Sequence, residues 1–188
     1  MPRYTTMWRY QRVSSTTDKR PALNARILAF LPALLIMAAI FFFSSQPADD
    51  SDAVSGLAGY QIFSAANRVF GLGLDPAELL AITAKYQHPI RKTAHFTEYM
   101  FLGISVLFGI SVNFRALMSG PIRAGGTALL ITAAYAASDE IHQLFVPGRA
   151  GRVSDCLIDS LGALFGITVY LLLYGRRHHA EDRRKTEA

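Results

Sequence analysis

The sequence predicts an all-α fold: a polytopic membrane helix bundle of four transmembrane helices, with an extracytoplasmic loop that contains an amphipathic helix. The first reason is that apolar residues are gathered into four blocks, at residues 27–43, 96–112, 124–138 and 160–175. The second is that ionisable side chains are concentrated at the ends of these blocks, where a membrane segment keeps them only if they are paired, hydrated or functional. At 188 residues the chain has the length of one domain.

The first apolar block, residues 27–43, is about 17 residues long and uncharged, which is just enough to span a bilayer. It is expected to stay in the mature protein as an anchor. Its core is longer than that of a signal peptide, and the SSQPADD that follows offers no small-x-small cleavage site. The other three blocks are each about 15 residues long and reach spanning length only when their polar flanks are included.

Basic residues predict the orientation of the helices. They are concentrated in the leader, in the connection between the second and third blocks, and in the tail RRHHAEDRRK, which a four-helix layout puts on one side. Both termini are therefore expected to be cytoplasmic, in an inner (plasma) membrane protein. The domains are a basic leader over residues 1–25, a transmembrane domain over 26–174 and a basic tail over 175–188. The leader and the tail are expected to be poorly ordered.

The net charge of +5 follows from this orientation and does not indicate a nucleic-acid partner. The basic residues lie at membrane ends and form no groove with interleaved aromatic residues. Nucleic-acid binding is therefore not expected.

The loop between the first two transmembrane helices, residues 48–89, has a helical pattern of its own. Apolar residues from Val54 to Phe70 recur at near-helical spacing. This spacing predicts an amphipathic helix that lies on the membrane or caps the bundle, and Gly71 would end it. A solvated loop with a chance pattern is the alternative.

A second, short helix is predicted to begin inside the same loop. Asp75 is a suitable N-cap, Pro76 suits the first helical position, and Glu78 completes a capping-box pattern. The second transmembrane helix is expected to start separately, after Pro89.

Polar side chains form a stripe at the outer end of each of the last three transmembrane helices. Spacings of three, four or seven residues place the members of a stripe on one helical face. Because the three outer ends lie at the same depth, the stripes predict a hydrated, charged cavity open to the extracytoplasmic side. The stripes are Arg91, His95 and Glu98 on the second helix, Asp139 and His142 on the third, and Arg152, Asp155, Asp159, Gly162 and Gly166 on the fourth.

The charges of this cavity predict that it binds an anionic group. Guanidinium groups bind phosphate or carboxylate in a bidentate manner, and Arg149 and Arg152 stand on the side of the membrane where basic residues are rare. Membrane lipids and a lipid-linked cell-wall precursor are the expected partners. The residues predicted to bind this ligand are Arg91, Lys92, Gln143, Arg149 and Arg152.

A second set of residues is predicted to orient the ligand or to carry out acid–base chemistry. Structural roles remain open for these side chains: hydrogen bonds between helices for the histidines, and a helix-dipole interaction for the aspartate in the fourth helix. The two arginines could likewise anchor at the headgroup level. Glu140 points about 100° away from its neighbour in the set and is not expected to share its role. The set is His95, Glu98, Asp139, His142 and Asp155.

No metal ion and no cofactor is predicted. His95-x-x-Glu98 and Asp139-x-x-His142 are pairs of the general kind that hold metals in helix bundles. However, the first has the reverse order of the known pairs, and HExxH is absent. Transport is disfavoured because the polar residues stop in the outer half of the bundle.

Two local features bear on covalent and quaternary structure. The lone Cys156 excludes an intramolecular disulfide. Gly162 and Gly166 form a Gly-xxx-Gly pair, which allows another helix to approach closely and opens the option of a homo-oligomer through this face.

These segments resemble the VanZ-like family of small bacterial membrane proteins. The resemblance rests on SSQP, KTAHFTEYMFLG and SDEIHQLFVPGRAGRVSDCLIDSLGALFG, and covers residues 26–174. It implies a role in the cell envelope or in tolerance of glycopeptides such as teicoplanin, and it carries over no enzymatic activity. Asn is common in the family where this chain has Asp159, so the role of Asp159 stays open.

The leading hypothesis is therefore an integral membrane protein of the cell envelope that binds an anionic headgroup or a lipid-linked cell-wall precursor. The alternative is a membrane-embedded enzyme, acid–base or metal-assisted, that modifies such a headgroup. The third hypothesis is a structural or partner-binding helix bundle.

Overall fold

The computed structural model describes residues 22–114 and 120–186, with side chains up to Leu173. The basic leader, apart from its last few residues, lies outside this part of the chain. The described residues form helices and no strand, which confirms the all-α prediction. The helices are α1 (Leu23–Leu28), α2 (Leu31–Ser44), α3 (Ala48–Phe70), α4 (Pro76–Asn113), α5 (Pro121–Gln143) and α6 (Val153–Thr186).

Three helical segments of the described chain are long and apolar enough to cross a membrane. They are Leu23–Ser44, which joins α1 and α2, then α4, and then Val153–Leu173 within α6. The sequence predicted four. The 23-residue α5 is long enough, but Ala, Gly and Thr lower its hydropathy and two acidic residues stand near its end. The structure therefore supports a membrane protein with three candidate spans.

The first transmembrane segment is divided by a turn at Ala29 and Phe30, where a single helix was expected. Pro32 is the cause, because it has no N–H to donate to the carbonyl of Leu28. It instead occupies the first turn of α2, where a missing N–H costs nothing. The far end of α2 agrees with the prediction, since the helix stops at Ser44 ahead of Pro47.

The predicted amphipathic helix of the loop is confirmed as α3. Its buried face consists of small residues, Ser51, Ser55 and Gly59, and most of its large apolar side chains are exposed. A Cβ on Gly59 would lie 2.8 Å from the Ile90 side chain, so α3 packs closely on α4 through this face. Gly71 ends the helix in the left-handed conformation with φ 61°, which glycine adopts without strain.

The predicted capping box is present at the start of α4. The Glu78 N–H donates to Asp75 Oδ1 over 2.8 Å, and the Asp75 N–H donates to Glu78 Oε2 over 2.9 Å. The helix then continues through Pro89, whereas two separate helices were expected. A proline removes only one hydrogen bond of the ladder, and α3 holds α4 on both sides of it. Gln87 donates to the carbonyl of Asp52 over 2.7 Å, and Ile90 packs at Gly59.

The length of α4 shapes the molecule. Its 38 residues extend about 57 Å at 1.5 Å per residue, nearly twice the roughly 30 Å hydrocarbon thickness. If the second half of α4 crosses the hydrocarbon, its first half and the helix α3 packed beside it extend beyond the hydrocarbon.

The helices α4 and α6 form the most extensive contact of the bundle, and glycines make it possible. A Cβ on Gly162 would overlap the carbonyl oxygen of Phe96, and one on Gly166 would overlap that of Met100. On α4, a Cβ on Gly103 would lie 2.7 Å from the carbonyl oxygen of Ala163. The Gly-xxx-Gly pair on α6 thus allows close packing against α4 of the same chain. A homo-oligomer through this pair stays a prediction.

The tail after residue 174 continues α6 as far as Thr186, where a poorly ordered segment was expected. Its Arg, Lys, Glu and Ala residues are good helix formers, and no glycine or proline follows Gly175 to end the helix.

Candidate functional site

A cavity of about 260 Å³ lies at the end of the bundle where α2 and α5 end and α6 begins. Five parts of the chain line it, and most of the side chains that they contribute are charged or polar. The predicted convergence of polar stripes on one cavity is therefore seen for α4 and α6. The lining residues are Ala48 and Asp52 of α3, His88, Arg91, Lys92 and His95 of α4, Glu140 and Gln143 of α5, Gly148, Arg149, Ala150 and Arg152 of the connection, and Asp155, Ile158 and Asp159 of α6.

Two of the cavity's cations form ion pairs that join helices. Arg91 Nη2 lies 2.7 Å from Asp52 Oδ1 and links α4 to α3. Lys92 Nζ lies 2.6 Å from Asp155 Oδ1 and links α4 to the first turn of α6. Because these side chains are partly exposed, each pair contributes on the order of 0–1 kcal/mol to stability. Their main effect is to position charge around the cavity.

Arg149 connects the loop before α6 to the end of α2. Its Nε donates to the carbonyl of Gln46 and its Nη2 to the carbonyl of Phe43, each over 3.2 Å. The last carbonyls of a helix have no partner within the helix, so Arg149 serves as a C-terminal cap. Burial and the positive charge of Arg91 both lower the pKa of its guanidinium, which remains a cation at neutral pH.

Arg152 is held by its backbone and presents a free side chain. Its N–H donates to Glu140 Oε2 over 2.6 Å, which fixes the start of α6 against α5. Its guanidinium is exposed in the cavity lining and has no hydrogen bond or ion pair within the described part of the chain. It is thus the cation best placed to receive an external anion.

The deep part of the cavity is acidic. Asp159, 2% exposed, lines the cavity and has no hydrogen bond or ion pair to any residue that the structure describes. Glu140 is 9% exposed and accepts from a backbone N–H. The carboxyl groups of Glu98, Asp139 and Asp155 are also near enough to Asp159 to repel a charge on it.

Two of the predicted site residues on α5 face α2 instead of lining the cavity. Asp139 Oδ2 accepts from Ser44 Oγ over 2.8 Å and from Gln143 Nε2 over 3.2 Å. His142 stacks on Phe41 with ring centroids 4.7 Å apart. The face of α5 that lines the cavity carries Gln143 and Glu140, although Glu140 had been set aside.

His95 and Glu98, both predicted site residues, lie close together on α4, and only His95 is in the cavity lining. Nδ1 of His95 lies 3.7 Å from Glu98 Oε2, which is longer than a hydrogen bond. Nδ1 is buried and has no hydrogen-bond partner among the described residues. In that same part of the chain, no group of three or more His, Cys, Asp or Glu residues could hold a metal ion.

Sequence reasoning missed three titratable residues of the lining, Asp52, His88 and Glu140, and left Asp159 without a role. Asp52 and His88 belong to segments that were expected to lie on the membrane or in a loop. Only the packing of α3 on α4 brings them to the cavity. The available signal for Glu140 was a second acidic residue, next to Asp139, near the end of an apolar helix.

The helices of the described residues, with three candidate spans and a charged cavity at one end of the bundle, are typical of a membrane protein. A family model, VanZ/LLP1, matches residues 29–174. The chain therefore belongs to the VanZ/LLP1 family, as the resemblance in its sequence predicted. No curated protein and no solved structure matched the chain.

Proposed function

We propose that this protein binds the anionic headgroup of a membrane lipid, or of a lipid-linked cell-wall precursor, in the charged cavity. The observation that carries the proposal is the free guanidinium of Arg152 in the cavity lining. A planar guanidinium offers several donors in the geometry that phosphate oxygens accept. Because every other cation of the lining already has a partner or is a histidine, Arg152 is the residue with donors to spare.

The other cations support an anionic ligand through their mutual repulsion. Arg91 and Arg149 share the cavity, and the positive charge of Arg91 disfavours that of Arg149. An anion between them would relieve this repulsion. The volume of about 260 Å³ is below the roughly 300 Å³ at which pockets enclose drug-sized molecules, so it fits a headgroup and not a whole lipid.

We propose further that α5 is a fourth transmembrane helix and that the cavity opens to the outside. Its 23 residues extend about 35 Å, enough to cross the hydrocarbon. Its C-terminal end meets the end of α2 at Ser44 and the start of α6 at Arg152. It therefore runs parallel to α2 and antiparallel to α6, which is the arrangement of alternating spans in an inner membrane.

The number of spans is testable because it sets the relation between the two termini. Four spans put both termini on the cytoplasmic side, and three would put them on opposite sides. We expect a reporter that is active only in the cytoplasm to be active when fused to either terminus. A C-terminal fusion that is active only outside the cytoplasm would contradict the fourth span.

The binding proposal predicts that Arg152→Ala loses headgroup affinity without losing stability. A hydrogen bond to a charged group contributes about 1.5–3 kcal/mol, which corresponds to a roughly 10- to 100-fold weaker binding constant. Native mass spectrometry of the protein, purified in mild detergent, would measure the retention of added phosphatidylglycerol and of a polyprenyl-linked precursor. The control is Arg123→Ala, which removes the same charge from an exposed position at the start of α5.

The outcomes of this experiment separate the candidate functions. Equal retention by wild type, Arg152→Ala and Arg123→Ala contradicts a headgroup site and favours a structural bundle. If wild type changes the mass of the added lipid and His95→Ala does not, the result favours an enzyme. His95 lies in the cavity wall with a carboxyl group 3.7 Å away. Binding of the precursor would also link the cavity to the teicoplanin tolerance that the family resemblance implies.

A further inference from the structure

The cavity keeps two unneutralised regions of opposite charge after its internal ion pairs are counted. Asp52 and Asp155 are paired with Arg91 and Lys92. This leaves two arginines toward the connection and two acidic residues in the wall of the cavity. They are Arg149 and Arg152 on one side, and Glu140 and Asp159 on the other.

The acidic region extends deeper along α6 than the arginines do, because Glu140 Oε2 contacts the Arg152 N–H and Asp159 lies beyond it. Arg152 precedes the helix, whereas Asp159 is seven residues further on, about 10 Å along the helix axis. A ligand that enters past the arginines would therefore reach the acidic residues with its far end.

Asp159 distinguishes this acidic region from a cluster of carboxylates on the protein surface. It is 2% exposed, it lines the cavity, and it has no hydrogen bond or ion pair among the described residues. A buried carboxyl group without a partner is costly. The nearby carboxyl groups repel a negative charge on Asp159, so a cationic group beside it would be stabilised.

The cation that fits best is an organic ammonium. Within the part of the chain that the structure describes, no three His, Cys, Asp or Glu residues are arranged to hold a metal ion. A primary ammonium carries three N–H donors and needs only two or three separate acceptors. Asp159 and Glu140 offer such acceptors from two neighbouring helices.

We propose that the ligand of this cavity is zwitterionic, with a phosphate against Arg149 and Arg152 and a primary ammonium against Asp159 and Glu140. The inference rests on the proposed headgroup site and names the chemistry of its ligand. An aminoethyl phosphate of a phospholipid and an amine on a lipid-linked precursor share this chemistry.

The test is a lipid competition in native mass spectrometry. Phosphatidylethanolamine, phosphatidylcholine and phosphatidylglycerol are offered to the purified protein at equal mole fractions. We expect phosphatidylethanolamine to be retained about tenfold more than the other two, because only its nitrogen has three donors and each lost charged hydrogen bond weakens binding by about this factor. If net charge alone determined binding, phosphatidylglycerol would be retained most, because it is the only one of the three with a net negative charge.

The variant Asp159→Asn keeps the size of the side chain and removes its charge. We expect it to retain phospholipid but to reduce the preference for the amine to about twofold or less, and Glu140→Gln to act in the same direction. The control Asp50→Asn, at an exposed position in the first turn of α3, should leave the preference unchanged. The melting temperature of each variant in the same detergent establishes that it is folded.

A second arm identifies the source of the amine. A polyprenyl-linked precursor is compared with the same molecule after acetylation of its free amine. An Asp159-dependent loss of binding on acetylation assigns the amine to the precursor, and the same dependence for phosphatidylethanolamine alone assigns it to the phospholipid.

The results separate this inference from the function on which it rests. One result would overturn only the proposal that the ligand carries an amine. In it, phosphatidylglycerol is retained at least as well as phosphatidylethanolamine, binding still depends on Arg152, and acetylation has no effect. An unchanged preference in Asp159→Asn also overturns it. Loss of all dependence on Arg152 overturns the headgroup site itself.

Discussion

Substituting alanine for Gly166 should destabilise the protein strongly for a change of one methyl group. The added Cβ would overlap the backbone carbonyl oxygen of Met100, and a backbone atom in a helix cannot move aside as a side chain can. The helices α4 and α6 must then separate, at a cost of about 1–3 kcal/mol from overpacking. Gly162→Ala meets the carbonyl oxygen of Phe96 in the same way and should behave alike.

The measurement is the melting temperature in mild detergent, followed by size-exclusion chromatography of heated samples. Gly126→Ala is the matched control, because it makes the same change in α5 where no atom lies within 4 Å. That variant should be neutral or more stable by about 0.5–1 kcal/mol, since alanine loses less backbone entropy in a helix. If both variants had the same melting temperature, the contact between α4 and α6 would not be as close as described.

Arg149→Ala should lower stability, in contrast to Arg152→Ala. The Arg149 side chain donates to two carbonyls at the end of α2, so its removal leaves Phe43 and Gln46 without these partners. Each hydrogen bond from a charged donor contributes about 1.5–3 kcal/mol. The side chain of Arg152 has no such bond in the described chain, and its loss should leave the melting temperature within experimental error.

Headgroup binding and melting temperature measured on the same samples distinguish the two arginines. We expect Arg149→Ala to lower both quantities and Arg152→Ala to lower binding alone. Arg149→Lys keeps the charge but cannot donate in two directions from a planar group, so it should recover binding better than stability. Equal melting temperatures for the two alanine variants would show that Arg149 does not cap α2.

The helix ends were largely predictable because local chemistry determines them. Pro47 stops α2, Gly71 ends α3, and Asp75 with Glu78 begins α4 by mutual hydrogen bonds. Prolines within a helical pattern were not predictable in the same way. Pro32 coincides with a break, whereas α4 continues through Pro89 because α3 packs against it on both sides.

The cavity was predictable as a location but less so in its residues. Periodicity shows which side chains of α5 share a face, but only the neighbouring helices decide which face meets α2 and which meets the cavity. Asp139 was therefore expected in the site and instead bonds Ser44, while Glu140 lines the cavity. The partners of Arg149 could not be predicted either, because they are carbonyls about a hundred residues away.

These distant contacts impose an order on the biogenesis of the protein. The bonds from Arg149 to α2, and from Ser44 to Asp139, join residues 95 to 106 positions apart. During synthesis, α2 enters the membrane long before its partners leave the ribosome, and its last carbonyls must meanwhile be hydrated by water or lipid headgroups. The cavity can close only when the connection before α6 has been delivered to the same side. A chain that stalls before this point therefore has its first helices but lacks the residues that complete the cavity wall.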